Sequence, residues 1–202
     1  MVRNLDPQKR ELFLNVALKL FVEKGVENTS TAEITRSAGT AAGTLFLYFP
    51  TKQDLVSALV LKIARDQSDA MSGVVNLSAA AKESFYAIWR GIIDWFLKHM
   101  DAYLFQQQVR DTNLVPQEVA EESGKYFGYF YGALQKGLDE GSIKPYSLEI
   151  LGVFLYQDIV AVMNILKTQP DAAWREETIN AGFDIFWNGI KVNGPAMQGE
   201  PK

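Results

Sequence analysis

The stretch STAEITRSAGTAAGTLFLYFPTKQDL, residues 30–55, decides the fold. Ser30 followed by Glu33 is a capping box: the serine hydroxyl caps a helix start while the glutamate reaches back to it. The helix it opens is short, Thr31 to about Ala38, and Gly39 ends it because glycine takes the left-handed conformation cheaply. A turn of about three residues leads into AAGTLFLYF, Ala41 to Phe49, a second short helix that Pro50 stops. Thr51 with Asp54 opens the next helix, through Leu55, Leu59 and Ile63 to about Met71. Two short helices joined by a turn that starts on glycine form a helix-turn-helix pattern.

The second short helix has two unlike faces. Leu45 and Phe49, four apart, can pack inward against Leu20, Phe21 and Ile34, while Thr40, Ala41, Gly43, Thr44 and Leu47 lie outward or at the rim. A short helix with a sticky inner face and an outer face free of bulk suits the major groove of DNA, about 12 Å wide. Hydroxyls there can reach phosphates and base edges, and Gly43 lets the backbone come close. Spacing alone serves equally well for a plain helical hairpin inside an all-α core.

Outward from this motif the chain reads as helices throughout, about nine in all. Before it, Asp6-Pro7 starts a helix, with aspartate as cap and proline at the first helical position. Leu12, Phe13, Val16, Ala17, Leu20 and Phe21 make its apolar stripe, and Gly25 stops it. Behind the motif, residues 72–78 read as a loop. Longer helices follow: Ala79 to about His99, with Phe85, Trp89, Ile92 and Phe96 on one stripe; Ala102 to Arg110; Pro116 to about Asp139, ended by Gly141; Ser147 to Lys167; and Asp171 to Lys191, opened by Pro170-Asp171. The expected organisation is a helix-turn-helix domain over 1–50, a connecting helix over 51–71, a larger helical domain over 72–192 and a frayed tail over 193–202.

Composition narrows the function classes. The 202 residues are 48% hydrophobic and 22% charged, ordinary for a globular chain, and contain no cysteine, which excludes disulfides and thiol chemistry. The N-terminus lacks the apolar run of a signal peptide, and no stretch reaches the roughly 20 apolar residues of a membrane span; IWRGIIDWFL, the longest candidate, is broken by Arg90 and Asp94. The chain reads as cytoplasmic and free of membrane. Net charge is −4, but residues 1–65 hold nine Lys or Arg against six Asp or Glu, so the front is basic and the back acidic. His99, the single histidine, follows Lys98 at a helix end, where a cation is favourable. Glu121-Glu122 and Asp139-Glu140 read as solvated faces. No nucleophile, base and orienter stand out as a catalytic set, so an enzyme is not expected, nor a metal or other cofactor.

Residues 30–55 resemble the helix-turn-helix of the TetR family of bacterial transcriptional regulators, at Thr31, Ile34, Ala38, Gly39, Gly43, Thr44, Leu45, Tyr48, Phe49, Lys52 and Leu55. ALKLFVEKGVENTST, before it, is similar to the family's first helix, and the likeness is specific over about residues 8–60. The resemblance implies a three-helix DNA-binding domain on a larger all-α domain that binds a small effector and dimerises through its last two long helices. It implies a repressor of operator DNA, released by ligand. By position, Thr40 and Thr44 would touch DNA, Tyr48 the backbone and Lys52 a phosphate, with Thr31 in the same set. Ala41, Ala42, Phe46 and Leu47 depart from the family's commoner, more polar residues. Ala41, Ala42 and Leu47 could meet thymine methyls; alternatively, specificity comes from DNA shape and from Arg3, Lys9 and Arg10.

For the larger domain the resemblance implies a pocket among the helices that begin near Ala79, Ala102, Pro116 and Ser147. Aromatic residues crowd this region, and pockets for small ligands are lined mainly by such groups. Trp89, Ile93, Phe96, Phe105, Tyr126 and Phe130 are the expected lining, for an apolar or aromatic effector such as a drug-like molecule or an acyl chain. Leu151, Leu155, Val162 and Leu166, with Ile179, Phe183, Phe186 and Ile190, are the expected homodimer stripes, since two helices from each chain make a four-helix interface. The competing reading is an all-α small-molecule binding protein that does not read DNA, which the acidic balance and the apolar recognition helix favour.

Overall fold

The computed structural model describes residues 5–76, 78–110, 112–168 and 171–192; Arg3, Leu77, Pro170 and the tail over 193–202 lie outside them. Among the described residues it is all-α, with one isolated antiparallel bridge, Ile143 to Lys191, in place of any sheet. The described residues form nine α-helices, but they are not the nine expected. The second helix of the motif is a single 3-10 turn, Leu45–Leu47, and the helix expected over 116–139 is two helices.

Two compact units make up the chain: Met1–Asp69 with Trp95–Phe127, and Ala70–Asp94 with Gly128–Lys202. The first does not stop at residue 50 or 71. It holds α1 (Pro7–Lys24), α2 (Thr31–Ser37), nearly all of α3 (Lys52–Met71), the end of α4 (Ala81–Lys98), α5 (Met100–Val109) and α6 (Gln117–Gly124). The reason is packing of α5 on α1, where the Phe21 and Phe105 rings stack with centroids 6.0 Å apart. Phe13, Leu14, Ala17, Leu20 and Phe21 form the buried side of α1. Leu12, expected there, is exposed, and Leu14 takes its place.

Caps fall where side-chain chemistry puts them. Asp6 accepts from the Gln8 amide at 2.9 Å, Ser30 from Glu33 at 3.1 Å, Ser147 from Ile150 at 3.3 Å and Asp171 from Trp174 at 2.8 Å. The box at Ser30 is half made, because the Glu33 carboxylate pairs with Lys24 instead of reaching back. At α3 the reciprocal pair is complete: Asp54 accepts from the Thr51 amide at 2.9 Å, and the Thr51 hydroxyl accepts from the Asp54 amide at 3.1 Å. His99 follows the last residue of α4, as expected, its amide bonding to the Trp95 carbonyl at 2.9 Å; it also caps the start of α5 without a side-chain bond, its ring 4.5 Å from Trp95.

Between α6 and α7 (Gly128–Asp139) runs a 3-10 turn, Lys125–Phe127. Gly124 and Gly128 flank it, and each glycine costs a helix about 1 kcal/mol relative to alanine, so the tyrosine- and phenylalanine-rich stripe does not hold one helix together. The second unit is built on α8 (Leu148–Leu166) and α9 (Ala172–Ile190), with α4 (its first fourteen residues) against α9. Trp89 donates its indole N–H to the Ile179 carbonyl at 3.0 Å, and Arg90 clamps Glu176 with bonds of 2.5 and 2.9 Å while holding Asp94 at 2.8 Å. Helix α8 corrects one expectation: by length and composition it is long and apolar enough to cross a membrane. Glu149, Gly152 and Asp158 interrupt the run, which hides it from a search for uninterrupted stretches, and seven of its residues are buried inside the unit.

Candidate nucleic-acid interface

Residues 40–52 form a compact elbow. Backbone amides of Thr44, Leu47 and Tyr48 bond three residues back, to Ala41, Thr44 and Leu45 at 2.9–3.2 Å, and Phe49 alone bonds four back, to Leu45 at 2.9 Å. The expected α-helix is therefore wound more tightly. Only nine residues lie between Thr40 and Pro50, Gly43 lowers helix propensity, and Pro50 pushes Phe49 out of helical geometry.

The inner face is as expected. Leu45 and Phe49 are buried, together with Leu20, Phe21 and Ile34. Two further contacts fasten it: Phe13 meets the Tyr48 ring edge-on at 5.6 Å, and the Arg10 guanidinium lies 5.3 Å over Phe49. Such a cation–π contact contributes roughly 0.5–1 kcal/mol at an exposed site. Arg10 is thus part of the platform under the elbow as well as a cation beside it. Thr29, buried, closes the approach to α2 by donating to the Leu20 and Gly25 carbonyls at 3.2 and 2.8 Å.

The outer face is open and largely apolar. Ala41, Ala42, Gly43, Phe46 and Leu47 are exposed, Leu47 by 52%. Gly43 is the informative position. Its φ is not positive, unlike those of Gly25, Gly39 and Gly141, so the backbone does not require glycine there. A Cβ added to it would meet nothing within 4 Å, so packing inside the chain does not require it either. What Gly43 leaves free is space on the outside. Among the described residues the Thr31 and Thr44 hydroxyls have no partner, whereas the Thr40 hydroxyl donates to the Thr35 carbonyl at 3.3 Å. Lys52 donates to the Glu27 carbonyl at 3.3 Å, and its partial burial pulls the ammonium below the usual lysine range. Arg36, exposed in the last turn of α2, is a further cation of the helix-turn-helix segment and was not expected; a lone arginine beside a serine carries no signal in the sequence.

Residues 13–59 match the family model for bacterial regulatory proteins of the tetR family. A crystal structure from Shewanella sp. PV-4, described as a tetR family transcription regulator, is 27% identical, covers 92% of this chain and 99% of its own, and superposes with a TM-score of 0.85. The chain belongs to the TetR family of bacterial transcriptional regulators. Among curated TetR-family relatives, the fatty acid metabolism regulator protein of Bacillus subtilis is 27% identical over 142 residues, 68% of this chain and 73% of its own. The transcriptional regulator LuxR of Vibrio harveyi is 31% identical over 91 residues, 45% of this chain and 44% of its own. As a TetR-family member the chain is a DNA-binding transcription regulator, and the elbow is its helix-turn-helix.

The other expected sites fare differently. Of the six effector residues, Phe96, Phe105 and Tyr126 belong to the first unit and Trp89, Ile93 and Phe130 to the second. All but Tyr126 are buried. Trp89 is a core residue: its N–H is taken by Ile179, and its rings stack on Phe186 and meet Phe183 edge-on. All eight dimer residues, Leu151, Leu155, Val162, Leu166, Ile179, Phe183, Phe186 and Ile190, are buried between 1 and 6% exposure inside the chain, so none is free to meet a second copy. The stripes are real, but they pack inside the chain: α8 lies against α9, and Phe183 and Phe186 of α9 meet Trp89 of α4. Ile150, Val153, Phe154 and Ile165 on α8 and Ile185 on α9 face outward instead, Ile185 by 72%.

Proposed function

We propose that this regulator is a cytoplasmic homodimeric repressor that binds a near-palindromic operator and is released by a small apolar effector. The observation that carries the DNA-binding end is Gly43, a glycine that neither backbone conformation nor internal packing calls for, on an outward face with a free Thr44 hydroxyl. Two such elbows would enter successive major grooves about 34–36 Å apart. Base contacts would be mostly apolar, from Ala41, Ala42 and Leu47 to thymine methyls, with Thr31, Thr40, Tyr48 and Lys52 on the backbone.

The outward apolar residues of α8 and α9 support a dimer through a four-helix interface, with Phe154 and Ile185 replacing the buried stripes as its centre. An apolar effector is supported by the buried aromatic cluster Phe96, Tyr103 and Phe105, and by similarity to a relative named for fatty acid metabolism that extends well beyond the helix-turn-helix. Ligand must bind the released conformation more tightly than the DNA-bound one to shift the population.

Titration against the DNA upstream of the protein's own gene, from about 50 to 200 mM salt, tests this reading. Affinity should fall by orders of magnitude across that range. Weak binding insensitive to salt would leave the chain without an operator.

A further inference from the structure

Helix α3 carries an anomaly on its inward side. Leu59, Ile63 and Met71 are buried at 1, 4 and 1% exposure, four or eight residues apart, and the position between the last two is Gln67. Gln67 is 2% exposed, and its Nε2 has no hydrogen-bond partner. The half-buried amide of Gln108, on α5 in the same compact unit, has the complementary fault: its Oε1 atom is shielded from solvent and accepts from nothing. Orphaned donors and acceptors away from water oppose folding, and glutamine has apolar near-isosteres such as methionine and leucine that would remove the penalty. Two orphans in a unit whose other large buried groups include Phe96, Tyr103 and Phe105 point to something that satisfies them part of the time.

We propose that the Gln67 amide is the polar anchor of the effector site, donating to a neutral carbonyl oxygen of an otherwise apolar ligand. This rests on the reading that the chain answers to a small effector, and it names the chemistry of that effector. The charge state follows from the neighbours. Among the described residues the buried polar or charged side chains are Thr29, Thr35, Gln67 and Ser84, with no buried lysine, arginine or histidine. A free carboxylate would enter without a counter-ion, which is far costlier than a neutral ester or ketone. The helix that bears Gln67 is the one that follows the DNA-binding elbow at Lys52, so a ligand that occupies this amide acts directly on α3.

The test uses the full chain and matched probes: methyl decanoate against decane and decanoate, and cyclododecanone against cyclododecane. Thermal unfolding and operator binding are read for wild type, Gln67→Leu and Gln108→Leu. Without probe, Gln67→Leu should melt at or above wild type, and its response to each probe is read against its own probe-free operator affinity. In wild type, at least one carbonyl probe should raise Tm and weaken operator binding at concentrations about five- to tenfold below its hydrocarbon and below decanoate, the worth of one buried hydrogen bond. Gln67→Leu should erase that difference, and Gln108→Leu should leave it, since these probes carry no donor. An unchanged preference in Gln67→Leu, equal response to decanoate, or no response to any carbonyl probe overturns the proposal and leaves Gln67 bonded to a buried water. If probe-free protein binds no operator while the Gln67-dependent preference stands, the regulatory reading fails and the anchor survives.

Discussion

Glycine is one letter in the sequence and several different facts in the molecule. Gly25, Gly39 and Gly141 sit at positive φ where helices end, and their places after α1, α2 and α7 were legible from the patterns around them. Gly182 is different: a Cβ there would lie 2.5 Å from a Val162 methyl and 2.8 Å from the Trp89 ring, so α9 can approach α8 and α4 only at a residue without a side chain. No pattern in the sequence distinguishes it from a tolerated helical glycine. Gly182→Ala should cost about 1–3 kcal/mol through overpacking, seen as a Tm several degrees lower by calorimetry, with operator specificity unaltered. Gly43 is a third kind, open on every side the chain provides. Gln67, which was not among the expected site residues, breaks the Leu55, Leu59, Ile63 spacing, and only burial reveals that its amide lacks a partner.

At the scale of elements, starts were more legible than faces. A cap needs one side chain and the amide two or three residues on, so Asp6, Ser30, Thr51, Ser147 and Asp171 announce their helices locally. Which side of an apolar helix meets its own chain is a tertiary matter. Helix α8 is apolar nearly all round, and its stripe of Leu151, Leu155, Val162 and Leu166 is buried within the chain, where α8 packs on α9. The two faces make opposite predictions. Phe154→Glu with Ile185→Glu should give a monomer by light scattering that keeps its helical circular dichroism, because both residues are exposed in the single chain. Phe183→Ala, in contrast, should remove about 3–5 kcal/mol of stability. Persistence of a dimer in the double glutamate variant would move the interface elsewhere. The elbow itself was legible as a place but not as a conformation: Gly43 near its start lowers helix propensity and Pro50 at its end draws Phe49 out of helical geometry, so its amides bond mostly three residues back.

For the molecule as a whole, an acidic chain with a basic front presents a DNA-binding surface that is itself poor in charge. The outward residues of the elbow are two alanines, a glycine, a phenylalanine and a leucine. On the function proposed above, electrostatic attraction would rest on residues around it, Lys9, Arg10, Arg36 and Lys52, and sequence reading on close, apolar fit. Such a fit is sensitive to added volume and insensitive to lost hydrogen bonds, the reverse of a helix that reads with arginine and asparagine. The measurement that tests this most directly is operator affinity of Gly43→Leu at fixed salt, taken beside its Tm. Since nothing in the chain lies within 4 Å of the new Cβ, the variant should melt within about 2 °C of wild type, the shift of less than about 1 kcal/mol. Its operator affinity should fall by at least about tenfold, one lost close contact of about 1.4 kcal/mol. Wild-type affinity in a folded Gly43→Leu dimer would contradict the account, because the surface that Gly43 keeps clear would then not be the one that meets DNA.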